Sequence, residues 1–509
     1  MKKRSPYVLA IDIGTTDIKA FLYSWKGEIV AQEYAKQSTI IKEPTWAEQD
    51  PNDWWNKAKN AIRVLINKAG VPPKEIKVIG ITGQISSPTL VKKDGEVLAP
   101  SLIWLDRRSV PQCKLIEEKI GSELIYNKTG LRLDPMYMLS KYLWYRQNMP
   151  GAFKKIHKFL QPKDFIGYKM TGRFASDYSS SSVTQFFNLG EMTWDKEILK
   201  EFNINEEILP DLGQSTEILG EVDPYVALET GLYKGTKVVI GSGDSTISAL
   251  SSGLANTGMT RVSISTSSDV MVCVGEKPLI DPKRRIGCYP HVIPGKYISI
   301  AGGNSGGVVF QWFIDKLCSL EKETVKKLGS NIYDLVGEST KEIQAGSNGL
   351  IFLPYLTGER SPIYDKNIRG IFAGITLNHT KAHFAKAVME GIAFTLLERL
   401  RIHEELGVEI KKIILGGGGT RSVLWRQIIT DQIGKETYMV NTEQPTCLGA
   451  AMVAAVGIGL YGSLEEAVSK IIDAGDSLQP IEQNILTYNE LFKKFKKIYQ
   501  ATKNVFPLI

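Results

Sequence analysis

Cysteine is scarce in this chain: five residues in 509, at positions 113, 273, 288, 318 and 447. The number is odd and no Cys-x-x-Cys pair occurs, which argues against a disulfide framework or a zinc ribbon and fits reduced thiols in a cytoplasmic compartment. Histidine is equally rare, at five residues. His379 and His383 have a helical spacing, but no Glu follows the first, so they read as polar residues at a helix start rather than metal ligands. No apolar run approaches the roughly 18 residues of a membrane span. The opening MKKRSPYVLAIDIG is basic and then apolar, but Asp12 interrupts it before a secretory leader is complete. Charge of one sign is also lacking. Lys and Arg total 62 against 55 Asp and Glu, a net +7, too mild to mark a nucleic-acid binder. The glycine run at 416–419 completes neither a P-loop nor a Gly-x-Gly-x-x-Gly. What remains is globular in composition, 43% hydrophobic and 23% charged, and long enough for roughly two to four domains.

The pattern along the chain is α/β. Tyr7 to Ile13 is apolar and β-prone, Gly14-Thr15-Thr16 is a turn, and Ile18 to Tyr23 and Ile29 to Tyr34 continue an antiparallel meander. Asp53 to Lys68 has helical periodicity, with Asp53 as N-cap. Val78 to Thr82 reads as a buried strand, and Lys93-Asp94-Gly95-Glu96 as a hairpin turn between Thr89–Lys92 and Val97–Leu98. Helices are predicted at Met138–Gln147 and Pro162–Met170, around a serine run at 179–182 that says little. Thr260–Ser265, the turn Thr266-Ser267-Ser268 and Val270–Val274 then repeat the opening unit half a chain later, so two similar, packed halves are expected, 1–249 and 250–509. Later elements are a helix near Thr380–His403, a strand at Lys412–Leu415, a helix at Ser422–Gly434 and a terminal helix at Asn489–Lys503. In the last, Lys493, Lys494, Lys496 and Lys497 alternate with Phe492, Phe495 and Tyr499, which predicts docking by the aromatic face rather than on a membrane. Trp54 and Trp55 read as core.

Three segments carry chemistry. Asp12-Ile13-Gly14-Thr15-Thr16 lies between two strands. Its backbone N–H groups and hydroxyls can face phosphate oxygens, and Asp12 can hold Mg²⁺; the same residues also make an ordinary hairpin. Gly241-Ser242-Gly243-Asp244 ends an apolar strand. A carboxylate there can take the proton of an attacking hydroxyl, or merely cap a helix. Gly416-Gly417-Gly418-Gly419 joins a buried strand to a helix, so backbone can lie close to a nucleotide.

These features, in this order, resemble the FGGY family of carbohydrate kinases. So do Trp46-Ala47-Glu48-Gln49-Asp50-Pro51 with Trp54-Trp55, Gly83-Gln84, Trp104-Leu105-Asp106-Arg107-Arg108, Pro162-Lys163-Asp164-Phe165, Thr171-Gly172, GLIFLPYLTGERS at 349–361 and Gly370 to Leu377. The resemblance implies two actin-like, ribonuclease-H-like α/β domains flanking a deep cleft, with ATP and Mg²⁺ as cofactors. It implies Asp244 as catalytic base, Asp12 and Asp244 at the metal, and Thr15, Thr16, Lys19, Thr266 and Ser267 at the phosphates. Gly303, Asn304 and Gly306 would lie along the nucleotide, with Gly416 and Gly417 on the adenosine side. Asp106 would hydrogen-bond a sugar hydroxyl beside Trp104. Gln84, Ser86, Ser87 and Tyr137 would complete the acceptor site.

At the substrate position the chain departs from its family. Glycerol kinases carry Arg-Glu after Gly-Gln and xylulokinases Met-His, whereas this chain has Ile85-Ser86. A pentulose is the first expectation, and another polyol or sugar acid (erythritol, gluconate, glycerol) the alternative. A non-catalytic sugar or nucleotide sensor and an actin-like assembly ATPase are the competing readings. The partners expected are sugar and ATP, with no nucleic acid and no membrane, and a homodimer is implied at family level.

Overall fold

The computed structural model describes residues 6–506 apart from 330, 441 and 443. Two seven-stranded sheets organise it. In the first, Tyr7–Ile13, Asp17–Ser24 and Ile29–Lys36 form the meander, Ile76–Gly83 adds parallel to Tyr7–Ile13, and Lys237–Val239 adds parallel beyond it. The second repeats the plan. Met259–Ile264, Ser268–Val274 and Tyr297–Gly303 are antiparallel neighbours, Lys412–Gly416 adds parallel to Met259–Ile264, and Thr437–Val440 parallel beyond that. The internal echo expected from the two Thr/Ser turns is therefore a duplicated topology.

Tyr7–Ile13 is apolar apart from Asp12 near its end, because both faces are covered, as parallel-sheet cores require. Leu9, Ile11 and Ile13 pack on the helix Pro51–Ala69, through Trp54, Ile62 and Leu65. Val8 and Ala10 pack instead on the helix Pro445–Gly457, which arrives from the second half. The two halves thus share a core. A third apolar cluster, between the sheets' outer loops, holds the helix Met138–Asn148.

Several boundaries differ from expectation. The helix expected from Asp53 begins at Pro51, and Asp50, not Asp53, caps it by accepting from Asn52 N–H. The expected hairpin forms, with Lys92 N–H donating to Glu96 O and Leu98 N–H to Leu90 O, each at 2.9 Å, and Thr89–Val91 also pairs with the distant strand Lys158–Leu160 along its other edge. The serine run forms the short buried helix Tyr178–Ser182. His383 joins Thr380 in a capping box, and the terminal helix, Glu482–Thr502, buries Phe492 and Phe495. Among the described residues no helix is long and apolar enough to cross a membrane.

Candidate active site

The strand Tyr7–Ile13 ends in the cleft and delivers Asp12, whose carboxylate is buried. Its Oδ2 accepts hydrogen bonds from Lys19 Nζ at 3.1 Å and Thr446 Oγ1 at 2.7 Å. Its Oδ1 is buried without a hydrogen-bond partner. Buried carboxylate oxygens are normally satisfied, so this atom fits a ligand to a hard cation. Burial works against the Lys19 ammonium, but the charge of Asp12 outweighs it and holds the group above its ordinary value. Beside this pair the turn places Thr15 partly accessible and Thr16 exposed.

Asp244 opens the helix Asp244–Ser251, directly after the short strand Ser242–Gly243 that pairs with the end of Ile76–Gly83. The buried serines explain why it sits firmly. Ser242 Oγ donates to Asp177 at 2.6 Å, and Ser179 Oγ donates to Thr246 at 2.8 Å. Burial, then the facing charge of Asp12, push the Asp244 carboxyl up to about 7. A carboxyl poised near neutral pH suits a general base.

The second turn, Ser265-Thr266-Ser267, is exposed at the opposite side of the cleft. It faces two cavities that meet at Ser265, Gly418 and Arg421. One, of about 1060 Å³, is lined by Tyr34, Arg261, Gly416 and Gly417. The other, of about 690 Å³, is lined by Thr266, Gly307, Tyr333 and Trp425. Together they accommodate a nucleotide. Gly417 has φ +85°, and a Cβ there would lie 2.3 Å from Ile264 O, so the glycine run is required where strand and loop touch.

Gly303, Asn304 and Gly306, expected along the nucleotide, pack against the Thr266–Ser267 turn and the ion pair behind it. A Cβ on Gly303 would lie 1.7 Å from Arg399 Nη2. Asn304 N–H donates to Glu359 Oε1 at 2.5 Å, and Gly306 backs directly onto Ser267. Glu359 and Arg399 form a fully buried ion pair of 2.9 Å, and Arg399 Nη1 donates to Ser268 Oγ at 2.7 Å.

The acceptor side is built on loops of the first half. Trp104, 39% exposed, donates from Nε1 to Thr15 Oγ1 at 2.8 Å, and Thr15 donates on to Gln84 Oε1 at 3.2 Å. Gln84 is itself buried and donates to Gln49. Asp106 does not face a sugar. It is fully buried, and its oxygens accept from Ala47 N–H at 2.7 Å and from Arg108, which also pairs with Glu48 at 2.7 Å. Ser86 and Ser87 are likewise fully buried: Ser86 N–H is held by Gln161 at 2.9 Å, and Ser87 Oγ donates to Ile85 O at 3.2 Å. The direct sugar contacts expected of these three residues are corrected to support of the loops. Tyr137, by contrast, lines a cavity of about 380 Å³ with Ser245 and Tyr289, next to Asp244.

Four residues of this site lay outside the sequence reading. Thr446 joins Asp12 across 434 positions. Arg107, Arg132 and Arg360 enter the acceptor cavity. Arg107 pairs with Asp134 at 2.5 and 2.9 Å; the other two have no carboxylate partner among the described residues. Arg360 lies in the recognised segment GLIFLPYLTGERS, which was the available signal. Arg132 carried none.

The family model for the FGGY carbohydrate kinases, N-terminal domain, matches residues 7–251, and that for the C-terminal domain matches 261–458. The xylulose kinase of Bacillus subtilis strain 168 is 32% identical over 98% of this chain and 98% of its own length. The gluconokinase of the same organism is 31% identical over 99% of this chain and 97% of its own. The crystal structure of gluconate kinase from Lactobacillus acidophilus superposes with a TM-score of 0.90 at 27% identity, covering 99% of both chains. The repeated sheet plan is the actin-like ATPase fold of these enzymes. The chain therefore belongs to the FGGY family of carbohydrate kinases.

Proposed function

We propose that this enzyme transfers the γ-phosphoryl group of ATP to a hydroxyl of a small sugar, with Asp244 as general base. The placement of Asp244 carries the reading. It stands at the strand end between Asp12 and the cavity lined by Tyr137 and Ser245. The sugar hydroxyl passes its proton to the Asp244 carboxylate as its oxygen bonds to the γ-phosphorus. The bond to the bridging oxygen breaks, and ADP leaves. Thr15, Thr16, Thr266 and Ser267 hold the phosphates in line, and Gly416 and Gly417 let the adenosine side approach the backbone. Asp12 Oδ1 and the Asp244 carboxylate are hard oxygen donors of the kind Mg²⁺ selects. Among the described residues no three His, Cys, Asp or Glu side chains converge, so phosphate and water oxygens would complete its shell. Bound there, the ion neutralises charge on the β- and γ-phosphates. In this reading residues 1–249 mainly bind the acceptor and 250–509 the nucleotide, and the five unpaired thiols suit a cytoplasmic enzyme.

A pentulose is the first acceptor, supported by the likeness to xylulose kinases over nearly the whole chain. A sugar acid is the second reading, favoured by the cavity's three guanidiniums against the single carboxylate of Asp134. The test is ADP release with ATP and Mg²⁺ over D-xylulose, L- and D-ribulose, erythritol, gluconate and glycerol, with Asp244→Ala as control. An Asp244-dependent pentulose signal is expected, and a gluconate signal instead selects the sugar acid. No turnover with ATP still bound would make the chain a non-catalytic sensor.

A further inference from the structure

Lys141 is among the largest fully buried side chains of the protein. It lies one turn into the helix Met138–Asn148, whose preceding residue, Tyr137, lines the acceptor cavity. Its Nζ donates to two main-chain carbonyls, Ser86 O and Ile103 O, each at 2.7 Å. Neither carbonyl belongs to its own element. Ser86 sits in the loop that follows Gln84, and Ile103 immediately precedes Trp104. Those two loops meet again above the ammonium, where Trp104, Thr15 and Gln84 are hydrogen-bonded in a row.

The chain is forced at both anchor points. Ser86 holds φ +58°, a left-handed conformation uncommon for a residue with a side chain, and it keeps that conformation with its N–H on Gln161 and its carbonyl on Lys141. Ile103 O already accepts from Asp106 N–H at 2.9 Å, so the ammonium is its second donor. No carboxylate among the described residues forms an ion pair with Lys141: its direct partners are the two carbonyls, burial pushes the group down to about 7, and Asp106 and Asp134 favour its charge only from beyond contact. An apolar side chain of similar length would fill the same space without that desolvation, and core packing therefore does not account for a lysine.

We infer that Lys141 is a positioning residue for the acceptor: its ammonium sets the separation of the loop at 84–87 and the loop at 103–106, and so the placement of Trp104, Gln84 and Tyr137 around the sugar. The two loops line neither nucleotide cavity; their one link to the phosphate side is Thr15, which is bonded to Trp104 and Gln84.

The inference rests on the kinase reading. The experiment compares Lys141→Met with the wild-type full-length enzyme, using D-xylulose, or gluconate if the panel selects that acid. The expected result is a drop in kcat/KM for the sugar on the order of 10²-fold, the usual consequence of a displacement near 1 Å. KM for ATP and the slow sugar-independent hydrolysis of ATP should change far less, by under about tenfold, because Thr15 is the single phosphate-side residue bonded to these loops among the described residues. Lys141→Arg, which keeps charge and donors, should recover part of the sugar kcat/KM, and it reads the same split if the Met variant does not fold. Equal losses on both substrates, or an unchanged sugar kcat/KM, would overturn the assignment. If the kinase reading itself fails, the wild type will consume no ATP in response to any sugar, which is a different outcome.

Discussion

Asp244→Asn should make the enzyme inactive and more stable together, and the gain in stability should depend on pH. The wild-type carboxyl is raised from 3.8 to about 7 by burial and by Asp12. Below pH 4 the group is protonated in both folded and unfolded chains and contributes nothing. Between pH 4 and 7 only the unfolded chain ionises it, so the folded state loses ground steadily. Above 7 the penalty is complete. At about 1.4 kcal/mol per tenfold in proton affinity, the full value is about 4 kcal/mol, and access of water through the cleft reduces it to roughly 2 kcal/mol. Asn keeps the shape and removes the charge. Differential scanning calorimetry should therefore show an apparent Tm increase of about 4–8 °C at pH 8, at the roughly 2–4 °C per kcal/mol of domains this size, shrinking towards zero at pH 4. Sugar-dependent ADP release should fall by about 10²–10⁴. A variant less stable than wild type at pH 8, or one whose gain does not vary with pH, would refute the strained-carboxylate argument. Retained turnover would remove Asp244 from the base role.

Two further variants test the supporting structure. Arg108→Met leaves Asp106 and Glu48 buried without the guanidinium that both accept from. Urea unfolding should show a loss of about 3–5 kcal/mol at pH 7. Gly303→Ala drives a Cβ to 1.7 Å from Arg399 Nη2 and 2.7 Å from Glu359 Oε1. It should cost about 1–3 kcal/mol and, by shifting the Thr266–Ser267 turn, reduce turnover at saturating sugar.

What the sequence shows most plainly is whatever depends on local chemistry. A strand buried on both faces needs a continuous apolar run, and Val8–Ile11 is one, ahead of Asp12. Tight turns need glycine, threonine and serine, and 14–16, 265–267 and 416–419 are written in those residues. The order of these turns was enough to read a duplicated α/β fold and to find Asp12 and Asp244. Helix ends were less legible: Asp53 reads as a cap, but Asp50, ahead of Pro51, takes that place in the fold.

Tertiary structure alone decided which side chains a sugar can reach. Asp106, Ser86 and Ser87 are as polar as any ligand-binding residue, yet folding spent their hydrogen bonds on Ala47, Arg108, Gln161 and neighbouring carbonyls. Arg132 and Thr446 gave no local signal, because their roles come from partners on the other half of the chain: the Arg284 carbonyl for one, Asp12 for the other. Polarity is a property of a residue and can be read in a line of text. Whether that polarity is already satisfied depends on what folds against it.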